Sequence, residues 1–203
     1  VMQGANLVLQ GSDSFSFSGN SVTAGSPAVF SGTTLPPSGI ADGSDFFLNS
    51  GANLTFSQTG TLTIPGSIGG DALNSPGTVT INGGALTWSG ANTFRAPVSV
   101  SGTTLQIATS TGLGNSSNVA TLNNSATLQF GGNVTVANAI VLGSTGTQVF
   151  DTQSQTVTLN GDITGSGALV KQGAGSVTFS GNNSFSNTFQ INAGTVRAGN
   201  TNV

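Results

Sequence analysis

Residues 176–199 read SVTFSGNNSFSNTFQINAGTVRAG, and residues 85–108 read ALTWSGANTFRAPVSVSGTTLQIA. The two stretches lie 91 positions apart and align without a gap. Thr87 falls on Thr178, Trp88 on Phe179, Ser89-Gly90 on Ser180-Gly181, Asn92 on Asn183 and Phe94 on Phe185. Thr104-Leu105 then falls on Thr195-Val196. Self-similarity at a fixed offset is the mark of stacked structural units.

Each copy opens on an apolar–polar–apolar triplet, and the same triplet recurs through the chain. Leu54-Thr55-Phe56, Leu62-Thr63-Ile64, Val79-Thr80-Ile81, Leu86-Thr87-Trp88, Val98-Ser99-Val100 and Leu105-Gln106-Ile107 are the first six. Leu128-Gln129-Phe130, Val134-Thr135-Val136, Val157-Thr158-Leu159, Val177-Thr178-Phe179 and Phe189-Gln190-Ile191 follow. Successive side chains point to opposite faces of a strand, so each triplet predicts a strand with one buried and one wet face. Between them stand Gly83-Gly84, Ser89-Gly90, Gly131-Gly132-Asn133, Asn160-Gly161-Asp162 and Gly165-Ser166-Gly167. Gly and Asn accept the backbone angles that tight corners need.

Three short strands and their corners make a unit of about 20–25 residues, the size of one coil in a β-solenoid. A β-sandwich also strings short strands together, but its strands usually run five or six residues and have no reason to repeat. The expected fold is therefore all-β, a parallel β-helix (β-solenoid) of about nine coils. The offset of 91 is expected to span about four coils of ~22 residues. Trp88 and Phe179 are placed on the inner face, and Phe94 and Phe185 at a loop that folds back. Asn92 and Asn183 are expected to bond backbone at the corner after Ser-Gly.

The first fifty residues differ. They hold Pro36-Pro37, four Phe before residue 47 (Phe15, Phe17, Phe30, Phe46) and three of the six Asp. Residues 1–50 are expected to form irregular coils or a cap, and 51–203 the regular β-helix, with repeat copies at 85–108 and 165–200. The chain stops soon after a strand. This is expected if it is cut from something longer or if a partner covers its end.

Composition excludes several classes of function. Charged residues make up 4% of the 203, against roughly 25% in an ordinary soluble domain. Glu, His, Tyr and Cys are absent, and Arg95, Lys171 and Arg197 are the basic residues. Helix formers such as Glu, Lys and Arg are nearly missing, which argues against an α-rich fold. Apolar residues make up 35% and the net charge is −3, unlike the low-hydrophobicity, high-charge pattern of disordered chains. Three dispersed cations make no phosphate-binding footprint, so nucleic acid is excluded as a partner. Gly, Ser, Thr and Asn interrupt every apolar run well before ~18 residues, so no membrane span is expected. No signal peptide is visible at the start.

Residues 165–200, GSGALVKQGAGSVTFSGNNSFSNTFQINAGTVRAGN, resemble the passenger-associated transport repeat of bacterial autotransporters. Gly165, Gly167, Leu169, Lys171, Gly173, Gly175, Val177, Phe179, Gly181, Asn183 and Phe185 carry the match, with Ala193, Gly194, Thr195 and Val196 after them. Residues 85–108 are similar to a second, weaker copy that lacks the leading segment; there Trp88, Gly90, Asn92 and Phe94 carry the likeness. Residues 112–163 look like the spacer coils between such repeats. The resemblance implies a right-handed parallel β-helix from a bacterial surface or secreted protein, serving as a stalk. It also implies an extracellular or cell-surface location.

Some β-helix families cleave polysaccharides, which requires clustered acids and a base. Here the acids are scattered, no His is present, and the lone Lys171 lies inside the repeat. No catalytic residue, no cofactor and no enzymatic activity are expected. Asp42 and Asp45 form the one close acidic pair, a weak Ca²⁺ candidate for which a plain turn is the simpler reading. Regular Thr on flat coils suggests ice binding, but the outer residues mix Thr, Ser and Gln. Two readings stay open. One is a non-catalytic stalk or adhesin segment, its partners being neighbouring coils of the parent chain and a host or cell-surface ligand. The other is an extracellular filament whose identical subunits stack end to end.

Overall fold

The computed structural model describes residues 6–11, 46–48, 51–70 and 77–199. The described residues contain strands and corners and no helix. In chain order, β1 (Asn6–Gly11) and β2 (Phe46–Leu48) come first. One coil then follows another: β3 (Asn53–Gln58), β4 (Thr61–Ile64) and β5 (Ile68–Gly70); β6 (Val79–Ile81) and β7 (Ala85–Trp88); β8 (Val98–Ser101) and β9 (Thr104–Ile107). Next come β10 (Val119–Asn123), β11 (Thr127–Phe130) and β12 (Val134–Val136), then β13 (Ala139–Leu142), β14 (Thr147–Asp151) and β15 (Thr156–Leu159). The last are β16 (Ile163–Gly165), β17 (Ala168–Gln172), β18 (Ser176–Phe179), β19 (Phe189–Ile191) and β20 (Thr195–Ala198).

Among the described residues every strand pair is parallel and links one coil to the next. The ladders assemble two seven-stranded sheets, β1-β3-β6-β8-β10-β13-β16 and β4-β7-β9-β11-β14-β17-β19. The third side is built by β2-β5 at one end and β12-β15-β18-β20 at the other. The fold is thus the expected parallel β-solenoid. Coil length varies: Val79 faces Val98, 19 residues on, whereas Leu54 faces Val79, 25 residues on.

The stack has about seven turns, not nine. The count of nine assumed equal coils. Asn6 instead faces Asn53, so one level of the stack takes up 47 residues. Of the segment 1–50 expected as a cap, Asn6–Gly11 and Phe46–Leu48 are described, and the rest lies outside the described residues.

The core follows from the two-residue period of a strand. In β3 the burial alternates at every residue, with Leu54, Phe56 and Gln58 inside. Register then sets like on like. Leu62, Leu86, Leu105, Leu128, Phe150, Lys171 and Ile191 form one inward column. Leu54, Val79, Val98, Ala120, Ile140 and Ile163 form another. Each fully buried Leu, Ile, Val or Phe contributes about 1.5–3 kcal/mol over its exposed state. The aromatic rings interlock edge to face, as in Phe56–Trp88 and Trp88–Phe94 at centroid distances of 6.3 and 5.9 Å. Phe130–Phe150 and Phe150–Phe179 repeat the arrangement at 6.3 and 6.4 Å.

Candidate functional site: the repeat corner and its buried lysine

The two copies of the motif build the same corner. Ser89 N–H donates to the Ile64 carbonyl one coil earlier, and Ser180 N–H donates to the Leu159 carbonyl likewise. The next residue lies flat on the preceding coil. A Cβ on Gly90 would collide with the Gly66 carbonyl, and a Cβ on Gly181 with the Gly161 carbonyl. Asn92 Oδ1 accepts the Ile68 N–H at 2.8 Å, and Asn183 Oδ1 accepts the Ile163 N–H at 2.9 Å. Thr93 N–H and Ser184 N–H then donate to the carbonyls of those same isoleucines. Phe94 turns inward and is buried; Phe185 is half-buried and packs against the core. Nineteen residues after its start, each copy lays a strand on itself, Thr104 on Ala85 and Thr195 on Ser176.

The copies nevertheless stand on different sides of the solenoid. The column of Ala85 runs through Thr104, Thr127 and Val149 to Val170, four coils on. Ser176 lies six residues beyond Val170, on the third side. The offset of 91 is therefore four coils plus one face. Four coils alone, as expected from the sequence, leave the copy one side short.

The leading half of the second copy supplies a charge in the core. Gly165 and Gly167 flank the corner between β16 and β17, and Gly173 and Gly175 the corner between β17 and β18, each against backbone of the preceding coil. Leu169 points inward beside Lys171, and both are fully buried. Lys171 Nζ donates to the carbonyls of Gln172 at 2.7 Å, Gly173 at 2.8 Å and Ala193 at 3.1 Å. All three ammonium donors are thereby matched to backbone acceptors, two from its own corner and one from the next coil. Gly194, at φ +73°, keeps this space open: a Cβ there would stand 2.8 Å from Nζ. Burial pushes the Lys171 ammonium below its ordinary pKa, and the Asp151 carboxylate pulls it partly back.

Sequence reasoning missed other polar groups that serve the stack. Along the outer face, Thr87 Oγ1 donates to Gln106 Oε1 at 3.3 Å, and Gln106 Nε2 donates to Gln129 Oε1 at 3.0 Å. Gln129 Nε2 then donates to Asp151 Oδ2 at 2.8 Å. Gln148 is fully buried, accepts the Ala126 N–H and donates to the carbonyls of Gly143, Thr145 and Gly146. Asn118 and Asn138 serve corners in another way, donating Nδ2 to the Phe94 and Asn115 carbonyls one coil back. For Thr87, Gln106 and Gln129 the signal was present as the central residue of successive triplets, but register was needed to bring them together.

Arg95 and Arg197 are exposed. Asp42 and Asp45 lie outside the described residues. Among the described residues no group of three or more His, Cys, Asp or Glu is placed to hold a metal. The described residues form no helix, and so none long and apolar enough to cross a membrane.

Residues 169–198 match the family model of the passenger-associated-transport-repeat. The chain thus carries that repeat on its last described coils, on a β-solenoid, a combination consistent with an autotransporter passenger domain. The comparisons with curated proteins and with solved structures found no match.

Proposed function

We propose that this chain is a non-catalytic stalk segment of a bacterial surface or secreted autotransporter-like protein. The carrying observation is the passenger-associated-transport-repeat at 169–198, seated on the last described coils of a solenoid whose two seven-stranded sheets run through the described stack. Passenger repeats of this kind are generally structural, and the repeat implies a secreted or surface-exposed protein. The side chains of the motif engage backbone and core, which is the work of a scaffold. Adhesion to a host or cell-surface ligand belongs to loops or to other parts of the parent protein. The test places the chain ahead of an outer-membrane barrel translocator, with a tag before residue 6. Surface protease is expected to remove the tag from the intact chain and to lose access when residues 165–199 are deleted. Undiminished exposure after the deletion would overturn the reading of residues 165–199 as a working part of an exported passenger.

The end of the described stack is also compatible with a second reading, the subunit of an extracellular filament. Phe189 and Val196 are only half-buried, and Ile191 is 53% exposed, whereas Leu169, Val177 and Phe179 one coil earlier are fully buried. A further parallel coil, from the parent chain or from an identical subunit, would cover them. Sedimentation of the dilute chain separates the two. Particles of one mass, about 35 Å long for seven turns at the ~4.8 Å strand spacing, support the stalk. Concentration-dependent fibres support the filament.

A further inference from the structure

Lys171 occupies a place that the fold otherwise gives to hydrocarbon. Leu86, Leu105, Leu128 and Phe150 precede it in the column, and Ile191 follows. A Met or Leu would fill that place without removing a charge from water, which is expensive unless the charge is fully bonded. The ammonium brings something that apolar contact lacks, namely direction. Its third bond forms only when the Ala193 carbonyl lies beside the corner at Gln172 and Gly173. Apolar contact alone sets the register of β19 weakly. The triplet Phe189-Gln190-Ile191 has a large apolar residue at each end. A slip of two residues keeps every side chain on its own face and merely exchanges one apolar residue for another against Leu169.

We propose that Lys171 is a register lock: its ammonium, bridging two successive corners, selects the native alignment of β19 on β17 at a cost in stability. A single buried polar group fixes register in coiled coils by the same exchange of stability for specificity. The carboxylate facing the lysine is Asp151 on β14, and β19 carries no charged residue. The depressed pKa agrees with a charge that the core tolerates rather than favours.

The chain has no cysteine, so disulfides introduced on the outer face report register cleanly. Val170 and Gln190 are native partners. A disulfide needs Cα atoms about 4.4–6.8 Å apart, which adjacent strands at ~4.8 Å satisfy and a two-residue offset does not. The pair Val170→Cys with Gln190→Cys therefore reads the native register. Val170→Cys with Thr188→Cys, or with Asn192→Cys, reads a slip in either direction. With Lys171 present, only the 170–190 bridge is expected under oxidation at equilibrium. With Lys171→Met, and equally with Lys171→Leu, the slipped bridges are expected to rise about tenfold while the melting midpoint stays level or increases. Variants that form only the native bridge would overturn the proposal. So would Met and Leu variants that both fail to fold, because a lock retained at a cost in stability is not what the fold depends on.

Discussion

The copy at 85–108 sits inside the described stack and the copy at 176–199 is its last described part, and their differences separate what the motif encodes from what its surroundings supply. Backbone bonds from the serine, the glycine's flat approach, the asparagine's acceptor bond and the strand nineteen residues on are common to both. Burial and forward contacts are not. Asn92 Nδ2 reaches ahead to the Gly112 carbonyl at 2.7 Å, whereas Asn183 Nδ2 turns back to its own corner at Gly181, 3.0 Å away. Trp88 and Phe94 are covered on both sides, while Phe185 is half-buried. The copies also stand on different faces of the solenoid. The motif therefore specifies how one coil closes upon the previous one, and the side on which this happens follows from the lengths of the coils between.

Paired substitutions break this comparison in order of expected effect. Gly90→Val drives a branched side chain into the Gly66 backbone and is expected to unfold the chain or to remove about 4 kcal/mol or more, an exceptional loss for one residue. Gly181→Val makes the same collision at the end of the stack. Hydrogen exchange is expected to show it releasing residues 183–199 while β8 to β14 stay protected. Trp88→Ala removes the largest fully buried side chain and is expected to cost about 3–5 kcal/mol in denaturant melts. Phe185→Ala, half-buried, is expected to cost less than half of that. Asn92→Ala leaves a buried N–H and a buried carbonyl unmatched, with a loss of about 1–3 kcal/mol. Asn183→Ala is expected at the low end of the same range, since its second bond stays within its own corner.

The smallest effect distinguishes the copies by charge. The first has no counterpart of Lys171. Burial lowers the lysine's folded pKa below its unfolded value. Between those two values the unfolded chain holds more protons than the folded one, so stability rises with pH through that window. The melting midpoint is expected to climb as pH approaches the ordinary lysine value of about 10.4. No Tyr or Cys is present to titrate alongside. Lys171→Met is expected to flatten the climb, and a midpoint falling over that range in the parent chain would contradict the sign.

Much of the fold was legible in the sequence because the strands obey one rule. All eleven apolar–polar–apolar triplets are strands with their outer two residues on the inner side of the register. Three of the strands not foreseen depart from that rule for physical reasons. Ala139–Leu142 is apolar throughout, so alternation was hidden. Thr147–Asp151 buries Gln148, which looks like an outer residue until its four bonds are seen. Ala168–Gln172 carries a lysine where the pattern demands hydrocarbon. The corner asparagines were legible because Asn follows Ser-Gly at the same spacing twice. The outer ladder from Thr87 to Asp151 was not, because it joins residues 19 to 23 positions apart whose pairing depends on the length of every coil between.

The most direct test of the central claim, that the motif encodes a coil and not a face, is a pair of distances between spin labels on the outer surface. Thr87 and Gln172 belong to one column four coils long, so labels on Thr87→Cys and Gln172→Cys are expected at about 19 Å, set by the ~4.8 Å strand spacing. Thr178, the sequence counterpart of Thr87, lies on the neighbouring side, and the Thr87→Cys/Thr178→Cys pair is expected to be clearly longer. A shorter distance for the Thr87–Thr178 pair would place both copies in one column and contradict the account.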